Sequence, residues 1–313
     1  MMKRICISEF MDADAVAALS AGFDLRYEPA WVDRRADLVA ALPQADALIV
    51  RNRTQVDAAL LDSAPRLRVV GRLGVGLDNI DVESCAARGI RVIPAVGANA
   101  RSVAEYVVIT VAMLLRGAFA SGAEVAQGKW PRARLSEGRE TLGKTLGVVG
   151  FGDIGRQTAA LAQAFGMRVI AHDPMLRADD PVWQGRDVAP RSLDALLAEA
   201  DAVSLHVPLV PATRHLINAP RLAAMKSGAV LVNTARGGVV DEAALAQALR
   251  EGRLAGAALD VFEQEPLPAG SPLADVPNLV LTPHIGGVTR EANARVSMLI
   301  ARKVREALEE GTA

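Results

Sequence analysis

Cysteine is scarce in this chain: Cys6 and Cys85 are the only two among 313 residues, with no C-x-x-C and no Cys/His grouping at zinc spacing. That excludes a disulfide scaffold and a structural metal site, and it points to a reducing compartment in which both thiols act as small buried hydrophobes. An excess of either charge is also missing. Thirty-five Lys plus Arg stand against 36 Asp plus Glu, a net charge of −1, so nothing holds nucleic acid or anionic lipid non-specifically. Any anion must be recognised by a local cluster. No apolar run approaches the roughly 18 residues of a membrane span; the longest apolar helical stretch, 103–115, contains Glu105, Tyr106 and Thr110. The N-terminal Lys3-Arg4-Ile5-Cys6-Ile7-Ser8 reads as a first β-strand rather than a secretory signal. A cytoplasmic protein without membrane or nucleic-acid partners is expected.

What is present is 51% hydrophobic content, ample for two cores, arranged as short apolar strands alternating with helical patterns. Strands are expected at 4–7, 25–27, 47–50, 68–70 and 91–93, with helices at 13–21, 36–42, 57–63 and 82–88. A long helix should follow at 102–121. Further strands are read at 145–149, 167–172, 202–206, 229–233, 256–259 and 279–282, separated by helices at 156–165, 192–198, 220–225 and 241–251, the last N-capped by Asp241 and stopped by Gly252. This is an α/β pattern, two doubly wound parallel sheets of Rossmann type. The last helix, 290–309, comes too late for the second strand series and is expected to cross back to the first. A discontinuous outer substrate domain, 1–98 plus 286–313, should therefore enclose a nucleotide domain, 99–285.

The turn Gly150-Phe151-Gly152-Asp153-Ile154-Gly155 lies between a strand and a helix, as in a dinucleotide-binding βαβ unit. Gly150 allows the sharp turn, Gly152 the approach of a pyrophosphate to backbone, and Gly155 close helix–strand packing, while Asp153 and Ile154 open the helix whose N–H groups face the anion. Eighteen positions beyond Gly155, Asp173 ends the next strand. A carboxylate there accepts from ribose hydroxyls and repels a 2′-phosphate, which favours NAD over NADP. Three more motifs sit at strand ends: Asn233-Thr234-Ala235-Arg236-Gly237-Gly238, Leu259-Asp260-Val261-Phe262-Glu263-Gln264-Glu265, and Thr282-Pro283-His284-Ile285-Gly286. Beside a nicotinamide, His284 could exchange the substrate hydroxyl proton, Glu265 could orient and charge-stabilise it, and Arg236 could bind a carboxylate with its planar fork. His206 and His215 read as structural, His172 as a neighbour of the cofactor, and Trp130 and Trp183 as packing or loop anchors.

Along nearly its whole length the chain resembles the D-isomer-specific 2-hydroxyacid dehydrogenases. The resemblance rests on R-L-G-V-G-L-D-N-I-D at 72–81, V-A-E at 103–105, the G-F-G-D-I-G turn, H-V-P-L at 206–209, N-T-A-R-G-G at 233–238, L-D-V-F-E-Q-E-P at 259–266 and P-H-I-G-G at 283–287. It implies that Arg236, Glu265 and His284 are catalytic, and that Pro208, Thr213, Thr234, Ala235, Asp260 and Gly286 join the glycine turn around NAD. It further implies that Leu73, Gly74, Val75 and Gly76 present backbone to the substrate carboxylate, and that a homodimer forms through 102–121. Arg51, Arg53 and Arg72 end outer-domain strands and Arg101 opens the long helix. Four arginines exceed the need of one carboxylate, so the 2-hydroxy or 2-oxo acid should carry a second anionic group, unless these side chains make surface salt bridges. The R-N-R-T and R-L-G-V-G patterns look like 3-phosphoglycerate dehydrogenases, whose longer members carry regulatory domains not expected in 313 residues. I-S-E-F-M-D, V-R-N-R-T-Q-V and G-A-N-A-R-S-V-A-E-Y-V look closer to bacterial sulfolactate dehydrogenases. The expected order is 3-sulfolactate/3-sulfopyruvate, then 3-phosphoglycerate, with a glyoxylate/hydroxypyruvate-type reductase or an NAD-sensing binding module as alternatives.

Overall fold

Five short segments of the first third, β1 (Arg4–Ile7), β2 (Asp24–Tyr27), β3 (Ala47–Val50), β4 (Val69–Arg72) and β5 (Arg91–Pro94), pair in parallel in the order β2-β1-β3-β4-β5. The computed structural model describes residues 2–177 and 179–310. It divides into one unit of Met1–Asn99 with Val288–Ala313 and a second of Ala100–Gly287. In the first unit every residue of β3 is fully buried, the signature of a parallel strand covered on both faces. The terminal helix, Arg290–Glu310, returns to this sheet, packing Val296, Ile300, Ala301, Val304 and Leu308 with Ile5, Ile7 and Val69. Gly71 makes that approach possible: a Cβ there would stand 2.8 Å from Val304 and 2.9 Å from Ile300.

The second unit holds β6 (Thr145–Val149), β7 (Arg168–His172), β8 (Val188–Pro190), β9 (Ala202–Leu205), β10 (Val230–Asn233), β11 (Gly256–Leu259) and β12 (Leu279–Leu281). All run parallel, in the order β12-β11-β10-β9-β6-β7-β8. The order reverses between β6 and β9, and the loops beyond the carboxyl ends of strands at such a point are where α/β sheets bind ligands. β8 has no counterpart in the sequence expectations. It is a three-residue edge strand ending in Pro190, tolerated because an edge needs fewer ladder donors.

The long helix is shorter than the expected 102–121. It spans Ala100–Arg116 and stops at Gly117, whose φ of 66° is left-handed and whose N–H bonds the Met113 carbonyl. A 3₁₀ turn, Phe119–Ser121, and a short helix, Gly122–Ala126, follow after a 71° bend. The apolar pattern continues across the break, and only the glycine marks it. No single helix among the described residues is long and apolar enough to cross a membrane.

Candidate active site

The glycine turn follows β6 at the reversal of strand order. Gly150 has φ 91°, and a Cβ on it would fall 2.4 Å from the His206 carbonyl; one on Gly155 would fall 2.2 Å from the Gly150 carbonyl. Between these crowded positions, a Cβ on Gly152 would meet nothing within 4 Å. Gly152 N-caps the helix Asp153–Ala164 with no side-chain cap, so an open cradle faces its first N–H groups. Asp173 lies against the same turn: Oδ2 accepts from the Phe151 N–H (2.8 Å) and Oδ1 from Met175 (2.9 Å). Phe151 is buried and stacks on Trp183 at 4.6 Å, so Trp183 is the packing residue expected, whereas Trp130 is 76% exposed. Beyond β9, the Thr213 hydroxyl donates to the Pro208 carbonyl (2.6 Å) and accepts from Val210 N–H (2.9 Å), closing that loop on itself.

Arg236, Glu265 and His284 come from the loops after three neighbouring strands, β10, β11 and β12. Asn233 shapes the first loop, its amide oxygen accepting from Ala235 N–H (3.0 Å) and its NH₂ donating to the Arg236 carbonyl (3.0 Å). Within that loop the Thr234 hydroxyl oxygen is buried without a hydrogen-bond partner, an orphan that suits a ligand carrying polar groups. Glu265 Oε2 meets His284 Nδ1 at 2.8 Å, while Oε1 accepts from Phe262 N–H (3.1 Å). Burial pushes the Glu265 carboxyl up, but the hydrogen bond and charge of His284, the Phe262 N–H and Arg236 outweigh it and hold the group below the usual carboxylate range. The His284 backbone is left-handed, φ 55°, and Asp260 holds it there. This buried carboxylate accepts from Ile285 N–H (2.8 Å), Gly286 N–H (2.7 Å) and the Thr282 hydroxyl (2.6 Å), and Tyr106 of the helix Ala100–Arg116 bonds Thr282 in turn (2.6 Å). Asp260 and Gly286 thus sit under the histidine as its support.

In the other unit, loops at the carboxyl ends of β1, β3 and β4 gather the remaining candidates. Glu9, buried just past β1, accepts from the N–H groups of Arg51 (2.8 Å), Thr54 (3.0 Å) and Arg53 (3.2 Å). Buried Asn79 donates to the Thr54 carbonyl (2.7 Å). Arg51 reaches Asn293 (2.9 Å) and lies 5.9 Å over the Phe10 ring; burial lowers its guanidinium below the ordinary value, with Glu9 opposing. Arg53 is instead tied to Asp33 in an exposed ion pair, and Arg101, on the helix Ala100–Arg116 of the second unit, to Glu105 at 2.6 Å. Two of the four arginines therefore follow the surface salt-bridge reading. Leu73 N–H is used by the Val50 carbonyl and Gly74 N–H by that of Arg72, whereas the N–H groups of Val75 and Gly76 have no hydrogen-bond partner among the described residues.

His206 bonds Ser204 (2.8 Å), and burial pushes its ring down to about 3, so it is neutral and structural; His172 bonds the Arg191 carbonyl. Sequence reasoning missed Glu9, Asn79 and Tyr106. A carboxylate directly after the first strand was the available signal for Glu9; the others act through partners 25 and 176 positions away.

The family described as "D-isomer specific 2-hydroxyacid dehydrogenase, NAD binding domain" matches residues 108–286. The chain is 55% identical over 307 residues to an (S)-sulfolactate dehydrogenase of Chromohalobacter salexigens, covering 98% of this chain and 99% of that one. It is 43% identical to a D-3-phosphoglycerate dehydrogenase of Mycobacterium leprae over 97% of its own length, and spans 56% of that longer protein. Among solved structures, a D-lactate dehydrogenase of Aquifex aeolicus complexed with NAD and lactic acid superimposes with a TM-score of 0.82 at 31% identity, over 99% of this chain and 96% of that one.

Proposed function

The chain belongs to the D-isomer-specific 2-hydroxyacid dehydrogenase family, and we propose that within it the protein oxidises 3-sulfolactate to 3-sulfopyruvate, or runs the reverse reduction. It is an NAD-dependent oxidoreductase of 2-hydroxy acids. The open cradle at Gly152, Asp173 beside it and the orphaned Thr234 hydroxyl fit that cofactor. The chemistry supplied by bound NAD is hydride acceptance from C2, or donation as NADH.

The contact that carries the reading is His284 Nδ1 to Glu265 Oε2. With Nδ1 committed to the carboxylate, Nε2 takes the proton of the C2 hydroxyl as the carbonyl forms, and returns it in reduction. Glu265, ionised because its carboxyl is held low, stabilises the imidazolium so formed. Arg236 clamps the substrate carboxylate and polarises the C2 oxygen. Within the first unit, the N–H groups of Val75 and Gly76 and the guanidinium of Arg51 are the groups suited to the anionic ends of such an acid. The similarity to the sulfolactate dehydrogenase supports this acid over 3-phosphoglycerate, and Arg51 suits the second anion of either.

The protein works as a cytoplasmic homodimer in this proposal. Ile109 (62% exposed), Phe119 (71%) and Trp130 (76%) form apolar surface along and beyond the helix Ala100–Arg116, which a second copy would cover. The test is turnover of NAD with sulfolactate, phosphoglycerate, glycerate and lactate at one pH, with His284→Ala in parallel. Sulfolactate should give the highest kcat/KM, and His284→Ala should lose about a hundredfold or more in kcat with NAD affinity kept. A preference for glycerate would make the protein a hydroxypyruvate-type reductase, and no turnover of any acid an NAD-binding module.

A further inference from the structure

Behind the catalytic loops lies a second set of polar side chains, His215, Glu242 and Glu263, that the reaction itself does not use. Glu242 opens the helix Glu242–Arg250 and is 8% exposed, yet it is a carboxylate. Its Oε1 accepts from the Glu263 N–H at 2.7 Å, two residues before Glu265. The Glu263 side chain in turn meets His215 Nε2 at 3.0 Å. His215 is held in a left-handed conformation, φ 47°, and its own N–H bonds the Gly238 carbonyl at 2.7 Å, two residues after Arg236. The peptide between the two loops has no slack: a Cβ on Gly237 would fall 1.7 Å from the Phe262 carbonyl. Phe262 N–H is the one that bonds Glu265 Oε1.

We propose that Glu242 and His215 are positioning residues: together they clamp the 262–265 segment against the 236–238 loop and thereby set the Glu265–His284 contact and the placing of Arg236. The inference rests on the catalytic roles given above. Its physical basis is that a buried carboxylate is costly unless it is used, and here its use is to anchor one backbone N–H beside the catalytic pair. Burial raises the Glu242 carboxyl, as does the neighbouring Glu263, while the Glu263 N–H and His215 oppose. A small displacement of the loop would slow the reaction far more than the removal of a single hydrogen bond suggests, because the pair must meet substrate in a narrow range of geometry.

The test compares Glu242→Ala, Glu242→Gln and His215→Asn in pH profiles of kcat/KM, with His284→Ala alongside. Glu242→Ala should lose about tenfold in kcat with KM for NAD unchanged. The acid limb of its oxidation profile should move to lower pH, because a loosened Glu265 stabilises the imidazolium less; Arg236 is the other charge facing that pair. Glu242→Gln should restore both, since its amide oxygen still accepts the Glu263 N–H. Should Glu242→Ala fail to fold, His215→Asn, half-exposed and too short to reach Glu263, carries the test with a smaller shift in the same direction. A wild-type profile in the folded variants, or a glutamine variant as impaired as the alanine one, overturns the proposal. An active His284→Ala would instead overturn the catalytic assignment.

Discussion

Replacing Glu9 by glutamine is the sharpest probe of the first unit, because the two side chains have one shape and opposite polarity at one end. In the wild type, Oε1 takes the N–H groups of Arg51 and Thr54, and Oε2 that of Arg53. The glutamine oxygen can keep the first two, but its NH₂ then faces the Arg53 N–H, donor against donor. The broken bond leaves a donor unsatisfied at about 1–3 kcal/mol, and the two retained bonds weaken from charge-assisted to neutral. Relief from burying a charge offsets part of this, leaving roughly 2–3 kcal/mol against the 51–54 loop. The assay is amide hydrogen exchange over residues 51–54, where that destabilisation corresponds to about thirty- to one-hundred-and-fifty-fold faster exchange. KM for the sulfonated acid should rise with it, since Arg51 hangs from the same loop. Unchanged protection at these amides would refute the idea that Glu9 holds the loop.

Glu265→Gln should move the acid limb of the oxidation profile to lower pH, because the carboxylate that stabilises the imidazolium is gone. Reduction, which needs the imidazolium, should fall at neutral pH; superimposable profiles in both directions would remove Glu265 from the proton-transfer step. Asp173→Ala should weaken NAD and relax its preference over NADP, measured as the ratio of kcat/KM values; an unaltered ratio would contradict the role given to that carboxylate. Arg51→Ala should raise KM for the sulfonated acid about tenfold more than for lactate, and Arg53→Ala, already committed to Asp33, should not. Equal effects of the two substitutions would refute the assignment of Arg51 to the second anion.

Much of this fold was legible because parallel α/β sheets are written locally: most strands are short apolar runs, and several helices begin at a capping side chain such as Asp57 or Asp241. The glycine turn and the close placing of the three candidate side chains, Arg236, Glu265 and His284, on loops after neighbouring strands were legible for the same reason, since each lies within a few residues of the strand that carries it. The helix 102–121 was overread because apolar periodicity crosses Gly117, and a single left-handed residue decides the boundary. Arg53 was overread because its partner, Asp33, belongs to another loop, and nothing in R-N-R-T announces it. Glu9, Asn79, Tyr106 and Glu242 are supports whose meaning lies wholly in distant backbone groups, which no window along the chain can display.

The strand order of the second sheet also acts as a ruler. From β6, which carries the glycine turn, to β11, which carries Glu265, the sheet steps through β9 and β10, three strand spacings or roughly 14 Å. A molecule anchored by phosphate on the turn must be extended by about that much to present its reactive end beside Glu265 and His284. Asp173, at the end of β7, lies on the opposite side of the turn, so an NAD with its adenosine ribose there would send its nicotinamide half the other way, across β9 and β10. The sheet thus sets the span a cofactor must cover, and the side chains at its ends set the chemistry.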